Sequence, residues 1–183
     1  MVMVDATRRY TVDEVLAFPA DGKRYELVDG ELLVTPAPAA PHQLVIGRLY
    51  LALADYLRRT GSAQVVLSPA DISWDRTKLV QPDLFVVPLS EVTASWKTYR
   101  TLLLAVEVIS PSSARGDRLV KRRLYQHQGV ATYWIVDPDA KLIEIWHPDD
   151  DRPSIQTEIL RWTLSPEGPA LELAVSEVFA GLP

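Results

Sequence analysis

The chain has no cysteine among its 183 residues, and this absence removes two kinds of site. Without thiols the protein forms no disulfide bond and offers no thiolate to a metal, a composition that fits a reducing compartment. No apolar run approaches the ~18 residues that a membrane-spanning helix needs. The first residues, Met1 to Asp5, lack the basic and then apolar layout of a signal peptide. We therefore expect a cytoplasmic protein that does not contact a membrane.

Several functional motifs are also missing from the sequence. It has no glycine-rich phosphate loop, no Gly-x-Ser-x-Gly motif and no pair of histidines at zinc-ligand spacing. We interpret His42, at a predicted helix start, as a surface or capping residue. The net charge of -5 is unfavourable for a protein that coats DNA, because nonspecific affinity comes from lysine and arginine at the phosphates. It does not exclude an enzyme that cuts DNA, since acids that hold cations lower the net charge.

The composition that is present, 48% apolar and 23% charged residues, is typical of a globular protein. We predict a single domain over 1–183, with its core over about 10–180. Asp29-Gly30 between apolar runs predicts a hairpin with a type I′ turn, which needs positive φ at both central residues. Thr11 and Glu14 predict a capping box at the start of a short helix.

Apolar periodicity predicts the remaining helices and strands. The predicted helices run from Pro41 to Gly61, from Ala114 to Gln128 and over 175–179. The predicted strands lie at 25–28, 31–34, 65–67, 71–74, 84–87, 102–109, 132–136, 142–146 and 155–162. This order predicts an α/β (α+β) fold, in which helices flank a mixed central β-sheet.

Four charged residues, Glu26, Asp83, Glu107 and Lys121, lie in or beside apolar segments. Asp83 opens an apolar strand, and Glu107 lies late in the apolar run 102–109. A carboxylate in such a place must be neutralised, paired or bound to a metal, because burial of an unpaired charge costs several kcal/mol. Two carboxylates on strands and a lysine on the following helix are what metal-assisted phosphodiester hydrolysis requires.

Each of these residues also has a simpler interpretation. Asp83 suits a turn before a strand, Glu26 the polar face of a hairpin, and Glu107 either a solvent-reaching strand end or a structural pair with Lys121. At about 100° per residue, Lys121 shares one side of its helix with Asp117, and an exposed pair at that spacing is worth ~0.3–0.5 kcal/mol. From the residues alone, the catalytic and structural interpretations both stay open.

The other side of the same helix is predicted to face solvent. Leu119 departs from the apolar periodicity, and we interpret it as part of an interface. The arginines predicted to be solvent-facing are Arg115, Arg122 and Arg123.

Six segments then occur in an order that is specific to one family. They are Tyr25–Glu31, a helix opened by His42, Gln81–Leu84, Glu107–Ser113, Asp117–Tyr125 and Gly129–Pro138. Together they resemble the Uma family of bacterial endonucleases, over about residues 10–180. That family has a restriction endonuclease-like fold and belongs to the PD-(D/E)XK nuclease superfamily.

The resemblance implies a mixed sheet flanked by helices and a Mg²⁺ site formed by Asp83 and Glu107, with Glu26 as a further acidic member. The superfamily pattern places a lysine two residues after Glu107, where this chain has Ile109. In this family the lysine is expected on the following helix, a position that Lys121 matches.

We therefore predict a DNA endonuclease that depends on Mg²⁺, for which Mn²⁺ can substitute. The predicted metal ligands are Asp83, Glu107 and the main-chain carbonyl of Val108, since Mg²⁺ takes oxygen ligands and keeps several waters. Glu26, Asp83, Glu107 and Lys121 form the predicted catalytic set. Glu26 would hold a metal-bound water or a second ion. Lys121, kept protonated by the carboxylates, would position the attacking water and offset charge on the phosphate.

In this hypothesis Arg118 or Arg122 contacts the DNA backbone, and a homodimer is expected because duplex cleavage commonly needs two sites. Two alternatives stay open. The first is a nuclease-fold domain that binds nucleic acid or a protein partner without cutting, which the acidic pI of about 5.2 favours. The second is a structural ion-pair network in an oligomerising protein, with Leu119 and the apolar C-terminal segment at the interface.

Overall fold

Thirteen strands and five α-helices cover most of the chain in a computed structural model, within the described residues 2–3, 8–111 and 113–182. The strands are β1 (Val2–Met3), β2 (Arg24–Val28), β3 (Glu31–Thr35), β4 (Ala63–Leu67), β5 (Ile72–Asp75), β6 (Lys78–Val80), β7 (Leu84–Pro88), β8 (Leu104–Val108), β9 (Tyr133–Asp137), β10 (Leu142–Trp146), β11 (Ser154–Gln156), β12 (Ile159–Thr163) and β13 (Ala170–Ala174). The helices are α1 (Val12–Leu16), α2 (Ala40–Thr60), α3 (Ala114–Gly116), α4 (Arg122–His127) and α5 (Val175–Val178). Two 3₁₀ turns cover Leu89–Glu91 and Trp96–Thr98, and a π-turn covers Asp117–Lys121.

The central sheet is mixed, as the sequence predicts. Its spatial order is β11-β10-β9-β8-β7-β4, with β8 and β9 parallel and the other neighbours antiparallel. All five residues of β8 are buried, which confirms the central strand expected from the apolar run around it. A second sheet, antiparallel throughout, has the order β1-β3-β2-β6-β5, and β12 pairs with β13.

The two faces of the central sheet bury different partners. One face shares a core with α2, and that core includes Leu49, Leu53, Val86, Val106 and Trp134. The other face packs against α4 and part of the second sheet, in a core that includes Leu33, Phe85, Ala105, Leu124 and Tyr125. Because successive side chains of a strand point to opposite faces, Glu107 points away from Val106 and towards the face that α4 covers.

The local predictions about turns and caps are confirmed. Asp29 and Gly30 have φ values of 49° and 83° in the turn that joins β2 to β3. Thr11 caps α1 in a capping box with Glu14. Gly61, at a φ of 70°, ends α2 in the left-handed conformation.

Two predicted elements are wrong in their continuity. The segment 155–162 is not one edge strand, since β11 pairs with β10 whereas β12 pairs with β13. The helix predicted from Ala114 to Gln128 is interrupted by the π-turn, in which the N–H of Arg122 donates to the carbonyl of Asp117. A π-turn inserts an extra residue and shifts the side-chain phase, so the apolar periodicity fails at Leu119, which is 47% exposed.

Candidate active site

The carboxylates of Asp83 and Glu107 lie side by side at the start of β7 and near the end of β8, which are neighbours in the central sheet. Asp83 directly precedes β7, and Leu84 of β7 pairs with Val106 of the antiparallel strand β8. The residue before Leu84, which is Asp83, therefore lies beside the residue after Val106, which is Glu107. The Val108 N–H donates to Oδ2 of Asp83 at 2.9 Å. Both acids are 2% exposed. Asp83 is therefore more than a turn residue, and Glu107 is not a strand end that reaches solvent.

The ammonium group of Lys121 joins three buried carboxylates. Its Nζ lies 2.7 Å from Oε2 of Glu26, 3.0 Å from Oε1 of Glu107 and 3.3 Å from Oδ1 of Asp117. The π-turn places Asp117 and Lys121 at its two ends, and both are buried. Single π-turns occur often at functional sites. The pairing of Lys121 with Asp117 is confirmed, but it is buried rather than exposed.

Glu26 belongs to the same buried group and not to a solvent-facing hairpin surface. It has no exposed area. Its Oε1 accepts the N–H of Gln81 at 2.8 Å, and its Oε2 contacts Lys121. The ion pair of Glu26 with Lys121 therefore connects β2 of the second sheet to the π-turn.

Arg24 is a member of the site that the sequence analysis missed. Its Nη2 lies 2.7 Å from Oδ1 of Asp83, and its Nη1 lies 3.8 Å from Oε2 of Glu107. Nη1 also donates to the carbonyl of Gln81 at 3.0 Å. Since Arg24 and Glu26 are two residues apart on β2, strand alternation puts them on one face, and that signal was available in the sequence.

His42 is the second missed member, and its interpretation as a surface or capping residue is wrong. Its Nε2 lies 3.0 Å from Oδ2 of Asp83, and its side chain is 13% exposed. Within the described part of the chain, its Nδ1 is buried without a hydrogen-bond partner. A lone histidine after a proline-rich loop carries no sequence signal of a partner 41 residues away.

Charge does not balance in this group. Four carboxylates face two permanent cations, so four negative charges less two positive charges leave an excess of two. The members are Glu26, Asp83, Glu107, Asp117, Arg24 and Lys121. Either protonation or an added cation can relieve such an excess, because burial makes it costly.

The pKa values of the members follow from this imbalance. Burial raises the pKa of Glu107 well above its usual value, and Asp83 and Asp117 add to the effect against the opposing Lys121. Burial alone would lower the pKa of Lys121, but Glu107, Glu26 and Asp117 raise it well above its usual value. The raised pKa of Lys121 favours its charged form, and the raised pKa of Glu107 favours protonation because that carboxyl is buried, with other acids nearby.

Asp83 is the acid that stays ionised. Burial raises its pKa, but the hydrogen bond with His42 and the charge of Arg24 outweigh burial and bring the pKa to about 2. Asp83 thus offers a permanent negative charge to a ligand.

A cavity of about 190 Å³ opens onto these groups, and Arg24, His42, Asp83, Glu107 and Lys121 are among its lining residues. Among the residues that the structure describes, no three Asp, Glu or His side chains already converge as a metal site. Mg²⁺ needs only one or two carboxylates, since it keeps several waters and takes substrate phosphate oxygens. The oxygen donors of Asp83 and Glu107 and the excess of two negative charges fit such an ion, although Arg24 contacts both carboxylates.

The two arginines expected at a DNA backbone have other partners. Arg118 lies 2.7 Å from carboxylate oxygens of both Asp137 and Glu144. Arg122 stacks over the ring of Trp146 at 4.5 Å. Phosphate contact by either arginine therefore stays a prediction, and these partners count against it.

Comparison with solved structures gives the fold. The crystal structure of a "putative nuclease belonging to DUF820" from Anabaena variabilis ATCC 29413 matches with a TM-score of 0.76. The match covers 92% of this chain and 97% of that chain at 18% sequence identity, so it supports the fold alone. The mixed sheet with flanking helices is thus a nuclease-type fold, as predicted.

Comparison at the sequence level gives the family. No curated protein matches the chain. A search for membrane-crossing segments in the described residues finds no helix that is long and apolar enough.

The model of the Uma2 family, described as "Putative restriction endonuclease", matches residues 12–176. The chain belongs to the Uma2 family, which confirms the predicted resemblance.

Proposed function

We propose that this protein is a Mg²⁺-dependent DNA endonuclease that hydrolyses phosphodiester bonds, with Mn²⁺ able to substitute. The observation that carries the proposal is the pair of adjacent carboxylates, Asp83 and Glu107, beside a cavity and a buried lysine. The family and the nuclease-type fold support phosphodiester hydrolysis as the reaction class. The divalent ion would supply Lewis-acid stabilisation of the phosphate and a site for the attacking water.

Asp83 and Glu107 would hold the ion through carboxylate oxygens. Asp83 is fixed for this role by the Val108 N–H and by His42. The carbonyl of Val108 stays the proposed third ligand, since Val108 lines the same cavity.

Lys121 would act as a fixed positive charge. Its contacts with three carboxylates raise its pKa, which favours the role of a charge stabiliser over that of a general base. A charged ammonium among those acids can orient a water molecule and offset charge that develops on the scissile phosphate. Glu26 holds Lys121 in this position, and its Oε1 is already satisfied by the Gln81 N–H. The geometry thus favours a positioning role for Glu26 over metal binding.

The experiment that tests the proposal is cleavage of supercoiled plasmid and of single-stranded DNA in Mg²⁺, Mn²⁺ or EDTA. Asp83→Asn keeps the shape of the side chain and removes its charge. We expect metal-dependent nicking by the wild type and a loss of at least about 100-fold in the variant, because changes to residues that only hydrogen-bond to metal ligands already cost about 10–100-fold.

The matched control for that variant is Asp137→Asn. Asp137 also accepts backbone N–H groups and a guanidinium, but it lies outside the cavity. We expect it to cleave like the wild type. Cleavage that survives Asp83→Asn, or that persists in EDTA, would contradict the proposed site.

A second candidate is a nuclease-fold domain that binds nucleic acid or a protein partner and cuts nothing. The observation in its favour is that every carboxylate near the cavity already has a cationic partner inside the chain. Calorimetry that shows no Mg²⁺ or Mn²⁺ binding, together with absence of cleavage in either metal, would support this second function.

A homodimer is part of the proposal, because one site per chain cuts one strand and cleavage of both strands commonly needs two. Sedimentation equilibrium measures the assembly. A monomer that nevertheless cuts both strands of a duplex at one position would contradict it.

A further inference from the structure

The guanidinium group of Arg24 stands between the two carboxylates proposed to hold the metal. It contacts Asp83 at 2.7 Å and approaches Glu107 to 3.8 Å. The side chain is 18% exposed and borders the cavity, and its other nitrogen contact is the Gln81 carbonyl. Arg24 is therefore held by three acceptors at the cavity that Asp83 and Glu107 also line.

Arginine cannot leave such a place by losing its proton. Its side chain stays charged in proteins, and burial here is outweighed by Asp83, Glu26 and Glu107, which raise its pKa further. A divalent ion that enters between the same carboxylates meets a positive charge that only movement of the side chain can remove. The cavity of about 190 Å³ beside Arg24 gives the side chain space for that movement.

A substrate phosphate gives the displaced guanidinium a new partner. Guanidinium and phosphate form paired, charge-assisted hydrogen bonds. Metal entry and substrate binding would then favour one another, because the metal requires Arg24 to move and the substrate phosphate stabilises the moved guanidinium group.

We infer that Arg24 is a built-in cation that competes with the divalent metal for Asp83 and Glu107, and that the metal binds only when Arg24 leaves both carboxylates. This inference rests on the proposed function, since it concerns the same site. It predicts that the nucleic-acid-free protein binds metal weakly because of one side chain.

The experiment is titration of the full chain with Mn²⁺ alone, with free Mn²⁺ measured by electron paramagnetic resonance. The affinity of Arg24→Gln for Mn²⁺ should be about tenfold higher than that of the wild type, or more. A hydrogen bond to a charged group is worth a change in affinity of about this size, and the ion no longer competes with one. Arg24→Lys keeps the charge but loses the two-pronged contact, and we expect an affinity between the two. Arg118→Gln is the matched control, because Arg118 also bridges two carboxylates but outside this cavity. We expect its Mn²⁺ affinity to equal that of the wild type.

Each outcome bears on the inference. Equal or weaker Mn²⁺ binding by a folded Arg24→Gln overturns it while leaving the metal-dependent function in place. Absence of Mn²⁺ binding in every variant, together with absence of cleavage, overturns the proposed function as well. If Arg24→Gln unfolds without metal, recovery of its circular dichroism in Mn²⁺ supports the inference, because the ion then replaces the missing cation. Failure to recover overturns it.

Discussion

Replacement of Lys121 by methionine should destabilise the protein far more than an ordinary surface substitution. Methionine keeps most of the apolar stem but removes the ammonium that Glu26, Glu107 and Asp117 share at 2.7, 3.0 and 3.3 Å. Removal of one partner from a buried ion pair leaves an uncompensated charge and costs about 3–5 kcal/mol. We expect a loss in that range at pH 7, measured by urea unfolding in EDTA.

The matched control for this substitution is Lys23→Met. Lys23 also lies 2.7 Å from a carboxylate, that of Asp21, but its side chain is 53% exposed. An exposed pair is screened by solvent and contributes much less than a buried one. A loss in Lys121→Met no larger than that in Lys23→Met would show that Lys121 does not stabilise the three buried carboxylates.

The pH dependence of the loss has a definite sign. Burial already raises the pKa of Glu107 and Asp117 despite the opposing charge of Lys121. Without that charge the acids take up protons more readily in the folded state, so acid stabilises the variant relative to the wild type. The loss should therefore be smaller at pH 5 than at pH 8.

A double-mutant cycle with Glu26→Gln separates the pair from the rest of the cluster. The double variant should be more stable than the sum of the two single losses predicts, by about 0.5–3 kcal/mol. Without the charge of Glu26, the loss of Lys121 leaves one fewer buried carboxylate without its cationic partner. This coupling, if it appears without any effect of metal on stability or cleavage, would favour the purely structural network over the enzyme.

Two further predictions concern parts of the fold outside the cavity. Gly30→Ala should lose about 1–2 kcal/mol, because its φ of 83° is left-handed and the added Cβ meets Arg9 at 3.2 Å. Gly22→Ala shares the positive φ but meets nothing within 4 Å, so an equal loss in urea unfolding would show that the Arg9 contact is irrelevant. Asp137→Asn should lower stability at pH 7. Burial raises the pKa of Asp137, but backbone N–H groups and Arg118 outweigh it and lower the pKa below 3.8. The stability it contributes is present above pH 3.8 and is lost as the pH falls through the folded pKa, so variant and wild type should converge in acid. A difference that does not change with pH would contradict this.

Local features of the fold could be predicted because nearby residues determine them. The Asp29-Gly30 turn and the Thr11 capping box follow from backbone sterics and short-range hydrogen bonds, and both are confirmed. The buried strand around Glu107 followed from its apolar neighbours. That the chain forms one domain over 1–183 stays a prediction.

The parts that the sequence did not reveal depend on distant contacts. Arg24 shares a strand face with Glu26, but no local pattern links Arg24 or His42 to Asp83, and only the fold brings them together across 59 and 41 residues. The π-turn depends on a choice between hydrogen-bond partners that differ by one residue, and its sequence signal is the departure of Leu119 from the apolar periodicity. The break between β11 and β12 follows from which sheets the two halves join, which apolar alternation does not encode.

The most direct test of the account is plasmid nicking in Mg²⁺ by Glu107→Gln beside Glu144→Gln. Glu144 is also a buried glutamate, bound to Arg118 and to the indole N–H of Trp146, but it lies outside the cavity. We expect metal-dependent nicking by the wild type and by Glu144→Gln, and none by a folded Glu107→Gln. Equal nicking by both variants, or no nicking by the wild type in any divalent metal, would contradict it.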